Sequence, residues 1–261
     1  MLYHETKLGK LYRGCCLNIM DELIRTGVKV DAVICDPPYG KTQQKWDSVI
    51  DFNVLWDKLN KLTKINTPVV LFGLEPFSTK LRMSNMNNYK YDWIWEKNLK
   101  TNNLNARIMP MGGHELISVF YKKQPTYNPQ KRERTTEVKS GNKKNSKTSV
   151  YGKQKEDYLD RQSDLINPDT VIRGIKGVHN SSGKKHPNQK PVELIEYLIK
   201  TYSNEGDLIL DFASGSGTLA LGCEELNRRW ICIEKDEDNE GNSLGYCDIT
   251  VKRLKKCAEG K

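Results

Sequence analysis

The chain has 261 residues, with 42 Lys or Arg against 33 Asp or Glu, a formal net charge of +9. That length suits one large domain, or one domain carrying an insertion, and 37% hydrophobic residues allow a sizeable core beneath a strongly charged surface. No run approaches the roughly 18 apolar residues of a membrane span, and residues 1–10 have no apolar secretory core, so a soluble, cytoplasmic protein without a membrane partner is expected.

The first apolar run, residues 28–35 (VKVDAVIC), predicts a short buried strand. It leads into Asp36-Pro37-Pro38-Tyr39 and then into a polar stretch containing Trp46. Phe52, Leu55, Leu59 and Leu62 recur at helical spacing, with Asp51 placed to cap the helix. Residues 68–73 (PVVLFG) predict a second buried strand. Tyr91, Trp93 and Trp95 alternate with Asp92, Ile94 and Glu96 and predict a strand with a buried aromatic face, and residues 115–121 predict another strand.

The texture changes over residues 125–185, rich in Lys, Asn, Ser, Thr and Gly. The window 126–185 holds 14 Lys or Arg against 7 Asp or Glu, so most of the net charge lies in one segment. Its composition predicts a loop or a weakly cored insertion. After residue 185 the α/β texture returns. Pro191 suits a first helical position, and Val192, Leu194, Ile195, Leu198 and Ile199 form an apolar helical face. Residues 207–212 (DLILDF) predict a strand, 218–227 a helix, 230–234 (WICIE) a strand and 244–256 a last helix. Strands alternating with helices predict an α/β fold in which both flanks, 1–124 and 186–261, complete one mostly parallel sheet around the insertion.

Two places carry chemistry. Gly215-Ser216-Gly217 falls directly between a strand and a helix, where glycine permits a tight turn and the helix N–H groups face a ligand. Asp211 ends the strand before it, and Glu234 ends the next strand, 17 residues beyond Gly217, where an acid can bind ribose hydroxyls. These residues imply an adenosine-like ligand and leave open a dinucleotide or S-adenosylmethionine. The second place is Asp36-Pro37-Pro38-Tyr39. Two prolines stiffen the loop and remove two donors, so it presents carbonyl acceptors beside the Asp36 carboxylate and the Tyr39 ring. That set suits a planar group bearing an NH₂. Two acceptors on its hydrogens favour a pyramidal nitrogen with a lone pair available for attack, and a base inside a duplex must be extruded and stacked to be reached.

Together these motifs resemble the β-class amino-methyltransferases of DNA, which modify adenine N6 or cytosine N4. DPPY at 36–39 resembles their catalytic motif and DFASGSGT at 211–218 their S-adenosylmethionine loop. HPNQKPVELIEYLI at 186–199 resembles the helix-opening motif that precedes that loop, and Glu234 the ribose-binding acid. The resemblance implies a Rossmann-like, circularly permuted sheet with a target-recognition insert at 125–185. It implies catalytic roles for Asp36, Pro37, Pro38 and Tyr39, and cofactor contacts by Lys190, Pro191, Asp211, Phe212, Ala213, Gly215, Ser216, Gly217, Thr218 and Glu234. Two departures stand out. Phe212-Ala213 replaces the usual Pro-Phe, and Cys15 replaces an acid in GCCL at 14–17, so that acid's role is not carried over.

The expected activity is S-adenosylmethionine-dependent methylation of adenine N6 in double-stranded DNA, yielding S-adenosylhomocysteine. Asp36 at the motif's first position favours adenine by analogy, with cytosine N4 as the alternative. No metal is expected, because the sulfonium already activates its methyl group. Bacterial or phage origin, a homodimer and a cognate restriction endonuclease are further expectations of the family. Trp46, Arg132, Arg134 and Arg161, with Tyr127, Tyr151 and Tyr158, are candidate DNA contacts. His114 and Glu115 are expected to be structural, and His186 either orients its loop toward the cofactor or is a plain loop residue. A nicotinamide-dependent oxidoreductase would explain the glycine turn but not DPPY, and a non-catalytic DNA-binding protein would explain neither motif's completeness.

Overall fold

The computed structural model describes residues 1–40, 48–133, 165–178, 189–238 and 240–259. It comprises two compact units, residues 1–128 with 170–261, and residues 129–169. The strands of the larger unit are β1 (Leu2–Glu5), β2 (Gly9–Arg13), β3 (Ala32–Cys35), β4 (Val69–Gly73), β5 (Tyr89–Thr101), β6 (Gly112–Phe120), β9 (Val171–Ile172), β10 (Leu208–Asp211) and β11 (Arg229–Glu234). Its α-helices are α1 (Cys16–Arg25), α2 (Phe52–Leu62), α3 (Phe77–Ser84), α4 (Val192–Tyr202), α5 (Thr218–Glu225) and α6 (Tyr246–Glu259). In the smaller unit β7 (Arg132–Glu133) pairs antiparallel with β8 (Leu165–Ile166).

The sheet order is β1-β2-β11-β10-β3-β4-β6-β5-β9. The pairs from β2 through β4 are parallel, as expected of β–α–β units. The sheet is mostly parallel, as expected, and its antiparallel pairs lie toward its two sides: β1 is antiparallel to β2, and β6 is antiparallel to both β4 and β5. The cause is local. The β5–β6 and β1–β2 connections are hairpins with no crossover helix, and a hairpin can only return antiparallel.

Period-2 alternation sorts the central strands between two cores. Ala32, Ile34, Val70, Phe72, Ile209, Trp230 and Cys232 pack with Leu194, Leu198 and Leu219 from α4 and α5. Val33, Cys35, Val69, Leu71, Leu210, Ile231 and Ile233 pack with Ile19, Leu55, Leu59 and Leu81 from α1, α2 and α3 on the other face. Helices therefore cover both faces, which is why these strands read as continuous apolar runs.

Asp51 caps α2, its carboxylate accepting from the Asn53 and Val54 N–H groups at 2.9 and 3.1 Å. Pro191 is the extended residue before α4 rather than its first helical residue. The first strand shortens to Ala32–Cys35, with Val30 bridging to Thr63. As expected, Trp93 and Trp95 are buried. The Trp93 Nε1 donates to the Tyr202 hydroxyl at 2.6 Å, and the Tyr91 hydroxyl lies 2.9 Å from the same oxygen. Tyr202→Phe should cost about 1–3 kcal/mol by leaving a buried indole N–H unsatisfied, a loss that urea denaturation would read directly.

The smaller unit is narrower than the compositional window. Ile172 and Ile175 are buried in the main core, β9 extends the sheet beside β5, and Asn128 donates to the carbonyls of Lys200 and Ser203.

Candidate active site

Along the sheet, β3 and β10 are neighbours, and the chain winds away from them in opposite directions, through β4 on one side and β11 on the other. A crevice at the carboxyl ends of strands forms at such a reversal. Both motifs open into it: Asp36-Pro37-Pro38-Tyr39 follows β3, and the Gly215–Gly217 turn follows β10. The two strands are held in register by the pairs Ile209–Ala32 and Leu210–Val33. The resulting cavity is about 1140 Å³ and is lined by Asp36 to Tyr39 and, on its other side, by Asp211 to Ser216, Thr218 and Glu234. That volume accommodates two organic ligands side by side.

At the β3 end, the Tyr39 hydroxyl donates to Asp36 Oδ1. Lys190 Nζ donates to Asp36 Oδ2 at 2.5 Å and pairs with Glu115 Oε2 at 3.1 Å. Burial pushes the Asp36 carboxyl up from its ordinary value; the Lys190 charge opposes this and the Glu115 charge adds to it. Tyr39 packs its ring 5.0 Å from that of Phe77, and Lys190 Nζ lies 5.2 Å over the Phe72 ring. Burial also pushes the Tyr39 phenol well up, so it remains a donor.

At the β10 end, Asp211 Oδ1 accepts from the Ala213 N–H at 3.1 Å, and burial pushes its carboxyl up to about 7. Glu234 Oε2 accepts from the Gly215 N–H at 2.6 Å and Oε1 from the Asp236 N–H at 3.3 Å. Burial raises its carboxyl to about 6 against those bonds. Gly215 and Gly217 have φ of 51° and 72°, the left-handed region glycine favours. The Ser214 Oγ is buried in the cavity wall with no hydrogen-bond partner among the described residues, a polar atom suited to a polar ligand.

Several expected residues are placed differently, and others emerge. Lys190, expected among the cofactor contacts, lines the cavity and directs its ammonium to Asp36 and Glu115. Phe212 is buried in the core beneath the loop, where the family's usual Pro-Phe is absent. Tyr127 packs against the Tyr202 ring, and Arg132 forms an exposed ion pair with Asp169 at 2.8 Å. Trp46, Arg134, Tyr151, Tyr158, Arg161 and His186 lie outside the described residues.

Glu115, expected to be structural, lines the cavity, as does Lys97, which donates to Glu115 Oε1 at 2.8 Å. Strand alternation carries a signal for both. Lys97 continues the buried face of Trp93 and Trp95, and Glu115 that of Ile117 and Val119, where a charge requires a partner. Arg253, on α6, had no such signal; it donates to the Ser216 carbonyl at 2.6 Å and Oγ at 2.9 Å, tying down the glycine turn. Among the described residues no group of three His, Cys, Asp or Glu is placed to hold a metal ion, and no helix is long and apolar enough to cross a membrane.

Known proteins are similar to the chain in sequence or in fold. M.BamHI, a type II methyltransferase of Bacillus amyloliquefaciens, is 27% identical over 97% of the chain, which spans 58% of M.BamHI's own length. The M1.HpyAVI–SAM complex superposes with a TM-score of 0.62 at 24% identity, covering 95% of this chain and 99% of that one. PvuII DNA methyltransferase, described as cytosine-N4-specific, superposes with a TM-score of 0.61 at 17% identity, covering 96% and 94%. The DNA methylase model N6_N4_Mtase matches residues 30–241, a span that includes both loops of the cavity, and the chain therefore belongs to the N6/N4 DNA methylase family.

Proposed function

We propose that the chain transfers a methyl group from S-adenosylmethionine to adenine N6 in duplex DNA. The observation that carries this is the meeting of an NH₂-gripping loop, Asp36 to Tyr39, and a nucleoside-type glycine turn, through its Gly215 and Ser216, in one cavity.

The cofactor end fits S-adenosylmethionine in its polar groups: the Glu234 carboxylate for ribose hydroxyls and the unpartnered Ser214 hydroxyl for a further polar group. Asp211, Phe212, Ala213, Ser216, Thr218 and Pro191 complete or support that end. When bound, S-adenosylmethionine supplies an electrophilic methyl group. The chain's own residues do the rest. Asp36 and the Pro37 carbonyl accept from the two hydrogens of the amine and keep its lone pair directed outward, while the Tyr39 ring and Pro38 flank the extruded base. The Asp36 carboxylate is also a group able to take the proton that the amine must lose.

Asp36, rather than Ser, at the motif's first position favours adenine over cytosine N4. The smaller unit and the basic residues of the 125–185 segment, Arg132 included, are proposed to contact DNA. Relatives such as M.BamHI, named as type II methyltransferases, support a restriction-modification setting with a cognate endonuclease, in a bacterial or phage-infected cytoplasm.

Incubating the purified chain with methyl-labelled S-adenosylmethionine and, separately, duplex DNA, RNA or protein tests the substrate class. Label should enter DNA; label confined to RNA or protein would refute the proposal. Competition by NADH for the cofactor site would instead favour an oxidoreductase. Because Glu234 binds hydroxyls as a carboxylate and its carboxyl sits at about 6, cofactor affinity should hold above that pH and fall as pH drops through it. Calorimetric titrations between pH 5 and 8 check this, and Glu234→Gln should flatten the dependence.

A further inference from the structure

Asp36 is one end of a buried row of four alternating charges. Lys97 Nζ meets Glu115 Oε1 at 2.8 Å, Glu115 Oε2 meets Lys190 Nζ at 3.1 Å, and Lys190 meets Asp36 Oδ2 at 2.5 Å. Side-chain exposures are 15% for Lys97, 8% for Glu115, 10% for Lys190 and 23% for Asp36, so water screens these contacts little. The four residues come from β5, β6, the segment before α4 and the loop after β3.

We propose that Lys97 and Glu115 are positioning residues of the transfer site: acting through Lys190, they hold the Asp36 carboxylate ionised and fixed in orientation. The proposal rests on Asp36 as the acceptor of the substrate amine.

The argument is one of charge and freedom. Asp36 must be a carboxylate to accept from an NH₂ group, yet burial and the neighbouring charge of Glu115 disfavour its ionised form. Lys190 supplies the opposing charge and Tyr39 a donated hydrogen bond, while the Cys35 thiol beside it is neutral because burial holds its pKa well up. A lysine ammonium on a four-carbon stem does not hold one geometry by itself. Glu115 gives it a second anchor, placed by the β6 backbone. Glu115 alone would repel Asp36 and draw Lys190 away. Lys97 neutralises that charge, so the row ends with Asp36 favoured.

A carboxyl ¹³C NMR titration of Asp36, assigned with Asp36→Asn, reads the effect without requiring turnover. In Lys97→Met, Glu115 competes for Lys190, and the Asp36 midpoint should rise by about one pH unit. In the double variant Lys97→Met/Glu115→Gln the competitor is gone, so the midpoint should return toward that of the unsubstituted chain. Methyl transfer by this double variant should nonetheless stay roughly tenfold down in kcat with little change in KM, because Lys190 has lost its second anchor. Lys97→Gln retains a donor to Glu115, and its titration decides the matter where Lys97→Met fails to fold. An Asp36 midpoint unmoved by both Lys97 variants would overturn the proposal, as would full kcat in the double variant. Absence of transfer by the unsubstituted chain would sink the functional proposal, whereas the titration would still test the charge row.

Discussion

Asp36→Ala should lower methyl transfer by about three orders of magnitude, within the range seen when a preorganised polar group is removed from a reacting centre. Cofactor binding should change little, because Glu234, the turn amides and Ser214 lie at the other end of the cavity. The loss has two parts. The amine loses the acceptor that directs its lone pair, and Lys190 is left facing the base with only Glu115 to balance it. Asp36→Asn should fall nearly as far, since its amide nitrogen adds a donor where the base already presents one. The upward displacement of the Asp36 carboxyl adds a pH signature: transfer needs the ionised form, so it should decline as pH falls through a midpoint above the ordinary aspartate value. Single-turnover transfer across pH, paired with calorimetric cofactor titration, measures both. Undiminished transfer by Asp36→Ala would remove the residue from the mechanism.

The second large effect concerns the glycine turn. Gly217 has φ of +72°, and a Cβ built there would lie 2.3 Å from Thr250 Cγ2 and 2.6 Å from its Oγ1 on α6. Gly217→Ala therefore meets both backbone strain and overpacking, and should cost about 2–4 kcal/mol in unfolding free energy. Thr250→Ala in the same chain should restore part of the overpacking loss and none of the backbone loss. Denaturant unfolding of the single and double variants gives the partition. Cofactor affinity should also drop in Gly217→Ala, because Thr250 and Arg253 both contact this turn and its displacement moves the Gly215 N–H from Glu234. An unfolding free energy unchanged in Gly217→Ala would contradict the packing argument.

This second case alters what the glycines mean. In sequence they read as room for a ligand, yet Gly217 is required first by α6. Nothing in residues 211–218 announces that, because the clash is with Thr250, far along the chain. The central strands were legible for the converse reason. Helices on both faces make residues 32–35 and 69–73 apolar throughout, a local signal independent of their partners. The β1 strand and α1 and α3 helices were not recognised. β1 is a half-exposed edge strand, and Cys15 and Pro76 open the two short helices without a side-chain cap. Which strands run antiparallel is not legible in sequence, since the run at residues 115–121 looks the same in either direction. Within the site, Asp36, Tyr39, Gly215 and Glu234 could be found because their motifs are contiguous. Lys97 and Glu115 were hidden by distance in sequence, although each breaks an apolar alternation that a buried charge must justify.

The most direct measurement is the identity of the modified nucleoside. The chain would be expressed in cells lacking background DNA methylation, beside Asp36→Ala, and their DNA digested to nucleosides for mass spectrometry. The account predicts N6-methyladenine with the unsubstituted chain and none with Asp36→Ala. N4-methylcytosine in its place would contradict the adenine assignment, and neither mark, from folded protein that binds S-adenosylmethionine, would contradict DNA base methylation itself.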